Sequence, residues 1–182
     1  MQTEEKTRGN IVIRTVRDED APVLLEFYNY YIEHTAIHFD YDPWTLEQFM
    51  DRMHHIKEAY PYLVAEEDGK LLGFVYAGVF KGREAYRHSV ETTIYMNPEE
   101  KGRGVGRMLY EALEEECKKR GIRNLYACIG DPEVEDEYLT HNSVEFHTHM
   151  GYTLVGRFHK CGRKFNRFYD MVWMEKLIAE EA

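Results

Sequence analysis

The chain has 182 residues, 43% of them hydrophobic and 31% charged, which is enough to bury the core of one domain. Its formal net charge of −10 argues against nucleic acid as the main partner. The sequence contains no apolar run long enough to span a membrane, and its polar first residues lack the pattern of a signal peptide. The three cysteines are few and widely spaced, which favours reduced thiols in the cytoplasm. We therefore expect a cytoplasmic protein whose partner is neither a nucleic acid nor a membrane.

Local signals divide the chain into strands and helices after a polar segment, residues 1–9, that is expected to be flexible. Thr45 with Gln48 forms a capping-box pattern, and Asp68 with Gly69 is a hairpin signal. In chain order, the predicted elements are a strand at 10–17, a helix that begins within 18–22 and ends near 34–35, a helix at 46–59, and strands at 60–67, 70–80 and 86–96. A central helix that ends before Gly121, a strand at 122–129 and an irregular acidic segment at 131–137 follow. The last elements are a short helix that is capped by Asn142 or Ser143 and ends at 150–151, and strands at 152–160 and 164–174.

This order of elements predicts the fold class. Two strands that flank a helix should lie parallel, so the strands before and after the central helix are expected to form a βαβ unit. The other strands follow one another through short turns and should be antiparallel. We predict a single α/β (α+β) domain over residues 10–182, with a mixed, mostly antiparallel sheet of about seven strands and about four helices.

The most informative stretch is residues 94–107, where a strand ends at a proline and a glycine-rich loop leads into an amphipathic helix. In such a loop, backbone N–H groups and a helix N-terminus converge on an anion. Glycines allow a phosphate to approach the backbone, and basic side chains add charge-assisted hydrogen bonds. We interpret the stretch as a pyrophosphate-binding loop made by Lys101, Gly102, Arg103, Gly104, Val105, Gly106 and Arg107.

Two common nucleotide motifs do not fit this loop. The P-loop pattern is absent, and the dinucleotide fingerprint lacks its third glycine, which makes a Rossmann-type nucleotide binder a poor alternative. The run from Lys101 to Gly106 resembles instead the Gln/Arg-x-x-Gly-x-Gly/Ala motif of the GNAT superfamily of N-acetyltransferases, with lysine at the first position. The resemblance covers nearly the whole order of elements. It implies a GNAT-like fold and acetyl-CoA as co-substrate, bound also by the strand residues Ile94, Tyr95 and Met96.

Within that superfamily, four stretches are similar to the phosphinothricin acetyltransferase-like group: residues 27–32, 83–87, 90–96 and 143–165. The resemblance places Glu91 as the base that accepts a proton from the amine, and His147 as an acid towards sulfur or as a second base. Glutamate is disfavoured in strands, which agrees with a special role for Glu91. An asparagine of the group falls at Thr140 here, so Asn142 is the candidate for contacting the pantetheine arm. The group also suggests a homodimer.

Candidate acceptor-binding residues come from two places. Tyr28 and Asn29 stand near the end of the first helix, where they could face a cleft. Arg83 and Tyr86 could hold a substrate carboxylate, because arginine presents a bidentate fork. Cys117 and Cys128 are interpreted as buried packing residues and not as acyl carriers. The histidines do not form a metal-binding pattern, so no metal is expected.

The leading hypothesis is direct transfer of acetyl from acetyl-CoA to the primary amine of a small amino acid or analogue, such as phosphinothricin, methionine sulfoximine or methionine sulfone. One alternative is a GNAT enzyme that acts on another amine: a polyamine, an aminoglycoside or a protein N-terminus. An acidic protein would attract a polyamine. The other alternative is a non-catalytic CoA-binding module.

Overall fold

The computed structural model describes residues 6–100 and 102–179, with side chains from residue 9 onward. Within this part of the chain, eight strands form one mixed sheet in the order β1-β2-β3-β4-β5-β6-β8-β7, with four α-helices. The strands are β1 (Lys6–Arg8), β2 (Ile11–Thr15), β3 (Tyr62–Glu67), β4 (Lys70–Val79), β5 (Ser89–Met96), β6 (Asn124–Asp131), β7 (Thr153–Lys164) and β8 (Arg167–Leu177). The helices are α1 (Ala21–His34), α2 (Leu46–Ala59), α3 (Val105–Lys119) and α4 (Asn142–His149).

The predicted mixed, mostly antiparallel sheet with four helices is confirmed. Neighbouring strands are antiparallel except β5 and β6, which flank α3 and are parallel as predicted. The eighth strand is the short β1, which lies inside the segment expected to be flexible and pairs with β2. None of the described helices is long and apolar enough to cross a membrane.

Three predicted boundaries were wrong. Tyr86 lies in a 3₁₀ turn, Glu84–Tyr86, and β5 begins only at Ser89. Asp131 ends β6 and does not belong to the irregular acidic segment, because its backbone continues to pair with Asp170 of β8. His141 occupies the cap position of α4, so Asn142 is the first helical residue.

Short-range signals explain the elements that were placed correctly. The N–H of Gln48 donates to Thr45 Oγ1 at 3.3 Å, and Gln48 Oε1 accepts from the Thr45 N–H at 2.9 Å, so the capping box at the start of α2 is complete. Asp68 and Gly69 both have positive φ angles, 51° and 82°. These angles suit a two-residue hairpin turn between β3 and β4.

Each face of the sheet has its own hydrophobic core. One core packs α3 against the sheet around Leu109 and Leu113, and the other packs α1 and α2 around Leu24 and Met53. Because both faces are covered, the central strands carry apolar residues on both sides, as β4 does from Leu71 to Ala77.

Strands β5 and β6 pair over only a short length, and this positions the site. Their pairing stops at Glu91 opposite Tyr126. Beyond that point β5 remains paired with β4 as far as Met96, while β6 remains paired with β8 as far as Asp131. The two strands therefore diverge and leave an opening in the middle of the sheet.

Candidate active site

A cleft lies in the opening between β5 and β6 and reaches both faces of the sheet. The helices on one face contribute Tyr110 of α3 and His147 of α4. The remaining lining residues are Ile37, Thr92, Thr93, Ile94, Tyr95, Ala127, Cys128, Ile129, Gly130 and Ser143. A molecule bound on the α3 side can therefore meet a second molecule that enters from the α1–α2 side.

The edge of β5 presents backbone donors to this cleft. The N–H of Asn97 donates to Leu72 O of β4 at 2.9 Å. Successive N–H groups alternate in direction along a strand, so those of Ile94 and Met96 face away from β4 and towards the opening. Met96 O accepts a hydrogen bond from the Tyr31 hydroxyl at 3.0 Å. This is the strand segment that was predicted to contact acetyl-CoA.

Glu91 lies on the α1–α2 face at the end of the β5–β6 pairing. It is half-buried and opposes Gly78 of β4 and Tyr126 of β6. Its carboxylate has no ion pair or hydrogen bond among the residues that the structure describes. Burial raises the pKa of Glu91, and the positive charges of Arg52 and Lys81 oppose that rise. An unpaired carboxylate with a raised pKa is suited to accepting a proton.

His147 is buried and hydrogen-bonded on both ring nitrogens. Nδ1 lies 2.7 Å from Ser143 O, which can only accept, so Nδ1 carries the proton. Nε2 therefore accepts from the Tyr110 hydroxyl, also at 2.7 Å. Burial lowers the pKa of His147, which keeps the ring neutral at neutral pH. Burial also raises the pKa of Tyr110, so its hydroxyl keeps its proton.

Thr92 connects this pair to a third aromatic ring. Its hydroxyl donates to Tyr126 O at 3.1 Å, and it lies 3.2 Å from the Tyr110 oxygen and 3.3 Å from the Tyr152 oxygen. The resulting hydrogen bonds hold the Tyr110 ring in one orientation at the wall of the cleft.

The glycine-rich loop forms the N-terminus of α3. Gly104 precedes the helix with a φ of 74°, a conformation that other residues rarely adopt. A Cβ on Gly106 would lie 3.3 Å from the Phe146 ring and 3.6 Å from Ile94, so the missing side chain lets α3 pack closely against α4 and β5. The first turn of α3, which includes Val105, directs N–H groups without intrahelical partners out of the helix end.

The basic residues of the loop are not equivalent. Arg103 forms ion pairs with Glu67 at 2.7 Å and Glu100 at 3.2 Å, so it braces the loop against β3. Arg107 is exposed and forms no ion pair among the described residues. Lys101 lies outside the described residues. Of the two predicted phosphate-binding arginines, Arg107 is therefore the one whose charge is not already paired with a carboxylate among the described residues.

Neither of the two residues on α1 that were predicted to bind the acceptor substrate, Tyr28 and Asn29, faces open space. Tyr28 is only 4% exposed, and its hydroxyl lies 2.7 Å from His38 Nε2. The Asn29 amide is engaged on both sides by the backbone of Trp44, donating to its O and accepting from its N–H, each at 2.9 Å. In the structure these two side chains hold the loop between α1 and α2.

The other predicted contact residues are exposed. Arg83 precedes the 3₁₀ turn and Tyr86 ends it, with the Tyr86 ring 6.2 Å from that of Phe80. Phe80 stacks on Tyr126 at 4.2 Å, which places this turn on the Glu91 side of the sheet. Asn142 is exposed at the start of α4 and does not line the cleft.

Sequence reasoning missed two residues and misplaced one. Tyr110 follows Gly106 by one helical turn, and this spacing from the loop could have indicated a hydroxyl beside the cleft. Arg52 of α2 had no sequence signal. Cys128 was expected to be buried, but it is exposed and lines the cleft. Although part of the residue is exposed, surrounding protein atoms desolvate the thiol and raise its pKa to about 11, so it is not an activated nucleophile.

A family model for the acetyltransferase (GNAT) domain matches residues 13–173 of this chain. The chain belongs to the GNAT acetyltransferase family. It is 31% identical over 172 residues to the phosphinothricin N-acetyltransferase of Streptomyces coelicolor, covering 92% of this chain and 96% of that protein. It is 27% identical over 179 residues to the L-methionine sulfoximine/L-methionine sulfone acetyltransferase of Salmonella typhimurium, covering 94% and 97% of the two chains.

Solved structures lead to the same family. An acetyltransferase from Salmonella typhimurium, determined with its cofactor acetyl-CoA, superposes with a TM-score of 0.87 at 26% identity and covers 96% of this chain and 97% of its own. The predicted family and the predicted class of enzyme, an acetyl-CoA-dependent N-acetyltransferase, are confirmed.

The described loop fits the co-substrate of a GNAT enzyme. A Cβ placed on Gly102 or Gly104 would meet nothing within 4 Å, so open space lies directly over the loop backbone. A pyrophosphate can occupy such a space beside the N-terminus of α3. Among the described residues, no group of three or more His, Cys, Asp or Glu side chains is arranged to hold a metal ion.

Proposed function

We propose that this GNAT enzyme transfers the acetyl group of acetyl-CoA to the primary amine of a small amino acid or analogue, of the phosphinothricin or methionine sulfoximine type. The observation that carries the proposal is the half-buried, unpaired carboxylate of Glu91 at the end of the opening between β5 and β6. The similarity to enzymes named for these acceptors supports the substrate class.

Glu91 acts as the base in the proposed reaction. A free amine is mostly protonated at neutral pH and must lose a proton before it can attack. Glu91 is the residue on the α1–α2 face that can accept that proton, directly or through one water molecule. Acetyl-CoA supplies the thioester, which is attacked directly in a ternary complex. The N–H groups of Ile94 and Met96 face the opening and can stabilise negative charge that develops on the carbonyl oxygen.

Co-substrate binding is assigned to the loop and the adjoining strand. The N–H groups at the start of α3, with Gly102, Gly104 and Gly106, hold the pyrophosphate, and Arg107 adds its charge. Asn142 stays a candidate contact for the pantetheine arm from the start of α4. Arg83 and Tyr86 stay candidates for a substrate carboxylate at the exposed end of the acceptor side.

Tyr110 stabilises the departing sulfur in this proposal, and His147 acts through it. The hydroxyl proton lies in the hydrogen bond to His147 Nε2 and can turn towards the cleft when negative charge appears there. His147 is a positioning residue, since its Nδ1 proton is committed to Ser143 O and its ring is neutral.

Tyr110→Phe is expected to lower kcat about 10- to 100-fold, since it removes the hydroxyl but retains the ring. Steady-state kinetics with acetyl-CoA varied would measure kcat and KM separately, and KM should change little. Tyr152→Phe is the matched control, because its hydroxyl also contacts Thr92 but does not line the cleft. Equal losses in both variants would show that Tyr110 acts only through packing.

A thiol-release assay with acetyl-CoA tests the proposed function. The acceptors are phosphinothricin, methionine sulfoximine, methionine sulfone, spermidine and a short peptide. Turnover of the amino-acid analogues is expected. Turnover of spermidine or peptide alone would retain the enzyme class and overturn the substrate. Binding of acetyl-CoA without any turnover would favour a CoA-binding module.

We further propose a cytoplasmic homodimer. The three cysteines are free, which suits a reducing compartment. The last two strands expose large apolar side chains at 53 to 60%: Leu154, Val155, Phe158, Phe168 and Leu177. Such a group of exposed apolar residues suits contact with a second copy of the chain. Sedimentation analysis of the purified protein would measure the oligomeric state.

A further inference from the structure

The acceptor side of the site contains a cation that the mechanism above does not use. Arg52 lies on α2, with its guanidinium 5.7 Å from the centroid of the Trp44 ring and 5.9 Å from that of Tyr76. Its Nη2 donates to the Tyr76 hydroxyl at 3.3 Å. Arginine offers five N–H donors in a planar fork, so most of them remain available to another group.

Glu91 and Tyr76, the tyrosine that contacts Arg52, lie on the same face of the sheet on either side of Gly78. Tyr76 opposes Thr93 in the β4–β5 ladder, and two residues later Gly78 opposes Glu91, so these side chains lie on one face. A Cβ on Gly78 would meet nothing within 4 Å. The space over Gly78 is therefore bounded by the carboxylate on one side and by the tyrosine that holds the guanidinium on the other.

The two charges do not neutralise each other. They form no ion pair, although the charge of Arg52 is close enough to oppose the burial effect on Glu91. The aromatic rings hold Arg52 instead. Trp44 is itself oriented by a hydrogen bond from Nε1 to Asp40 at 2.8 Å and by the two backbone contacts of Asn29.

Among the described residues, 11 of the 23 lysines and arginines of the chain form an ion pair with a carboxylate. The paired arginines and lysines include Arg14, Arg17, Lys57, Lys70, Arg87, Arg103, Lys119, Arg157, Lys160, Arg167 and Lys176. Arg52 has no such partner among the described residues. Arg52 is an exposed guanidinium that contacts two aromatic rings but no carboxylate of the described residues, so it is suited to binding an anion from outside the chain.

We propose that Arg52 binds an anionic group of the acceptor while Glu91 faces the amine of the same molecule. This inference rests on the proposed function and deepens it, because it restricts the acceptors to amines that also carry a negative charge. The group that Arg52 binds must present a pair of anionic oxygens, and either an α-carboxylate or a side-chain phosphinate can supply them. A polyamine would instead bring a second positive charge towards Arg52.

The test compares acceptors that differ in negative charge. Phosphinothricin carries a carboxylate and a phosphinate, methionine sulfone carries only the carboxylate, and 3-(methylsulfonyl)propan-1-amine carries neither. Kinetic constants for each would be measured with the wild-type protein, Arg52→Gln and Arg52→Lys. Arg17→Gln is the control, since it removes an exposed arginine that lies between β2 and α1.

Arg52→Gln is expected to raise KM about 10- to 100-fold for acceptors with the recognised anion and to leave kcat within about threefold. Arg52→Lys should restore part of this loss, since it keeps the charge without the fork. Losses for phosphinothricin and methionine sulfone would identify the carboxylate, and a loss for phosphinothricin alone would identify the phosphinate.

Two results would overturn the role of Arg52. One is unchanged KM for both anionic acceptors, and the other is an equal loss for 3-(methylsulfonyl)propan-1-amine, which has no anionic group. Wild-type turnover of these acceptors decides the proposed function separately. Turnover of spermidine alone would overturn both proposals, whereas turnover of the analogues without an effect of Arg52→Gln would overturn only this one.

Discussion

Glu91→Gln is expected to lower kcat/KM about 10²- to 10⁴-fold without weakening acetyl-CoA binding or the fold. The amide is nearly the same size but cannot accept the proton from the amine. In the wild-type protein, kcat/KM should also fall as the solution is acidified through the raised pKa of Glu91. Steady-state kinetics between pH 5 and 9 would measure both effects, and calorimetry would measure acetyl-CoA binding.

The direction in which Glu91→Gln changes Tm distinguishes a catalytic base from a residue that stabilises the fold. Burial raises the pKa of Glu91, so the folded state binds the proton more tightly than the unfolded chain does. Stability therefore decreases as pH rises from the unfolded pKa to the folded pKa, and the penalty is present in full above the folded pKa. Glu91→Gln removes that penalty, so its Tm should equal or exceed that of the wild type.

Glu175→Gln is the matched control for this prediction. Glu175 lies on β8 opposite Tyr126, in the same cross-strand row as Glu91 and also half-buried. Its loss should change kcat/KM by no more than about threefold, since it lies two strands from the acceptor space. A Glu91→Gln variant that retains wild-type activity, or that loses activity together with Tm, would contradict the assignment of Glu91 as the base.

Gly104→Val is expected to weaken acetyl-CoA binding about 10- to 100-fold, because valine is strained at positive φ and its side chain enters the space over the loop. The N–H groups of the first turn would then no longer converge on the pyrophosphate. Isothermal titration with acetyl-CoA, and with CoA, would measure the change in Kd directly.

Gly121→Val separates loop geometry from general destabilisation. Gly121 follows the other end of α3 and has the same φ of 74°, and a Cβ added there would likewise meet nothing within 4 Å. The substitution should lower Tm by a similar amount, yet leave the Kd for acetyl-CoA unchanged. If the two variants weaken binding equally, the loop has no special role in holding the co-substrate.

Caps, turns and loops that are made by residues close together in the chain could be predicted from the sequence alone. The capping box of Thr45 and Gln48 and the turn at Asp68 are formed by adjacent or nearly adjacent residues, so their chemistry is visible in a short window. The glycine loop before α3 is equally local. Together with the order of elements, it was enough to indicate the family, the class of enzyme and the co-substrate.

Features made by distant residues were decided only by the tertiary structure. Tyr110 and His147 are 37 positions apart and meet because α4 packs beside α3 at the opening. Arg52 and Tyr76 are 24 positions apart, and their contact beside Glu91 depends on how α2 lies across β4. A local pattern constrains only residues within a few positions of each other, whereas these contacts depend on the packing of helices against the sheet. The sequence by itself therefore determined the reaction class, and the tertiary structure decided which side chains surround the acceptor.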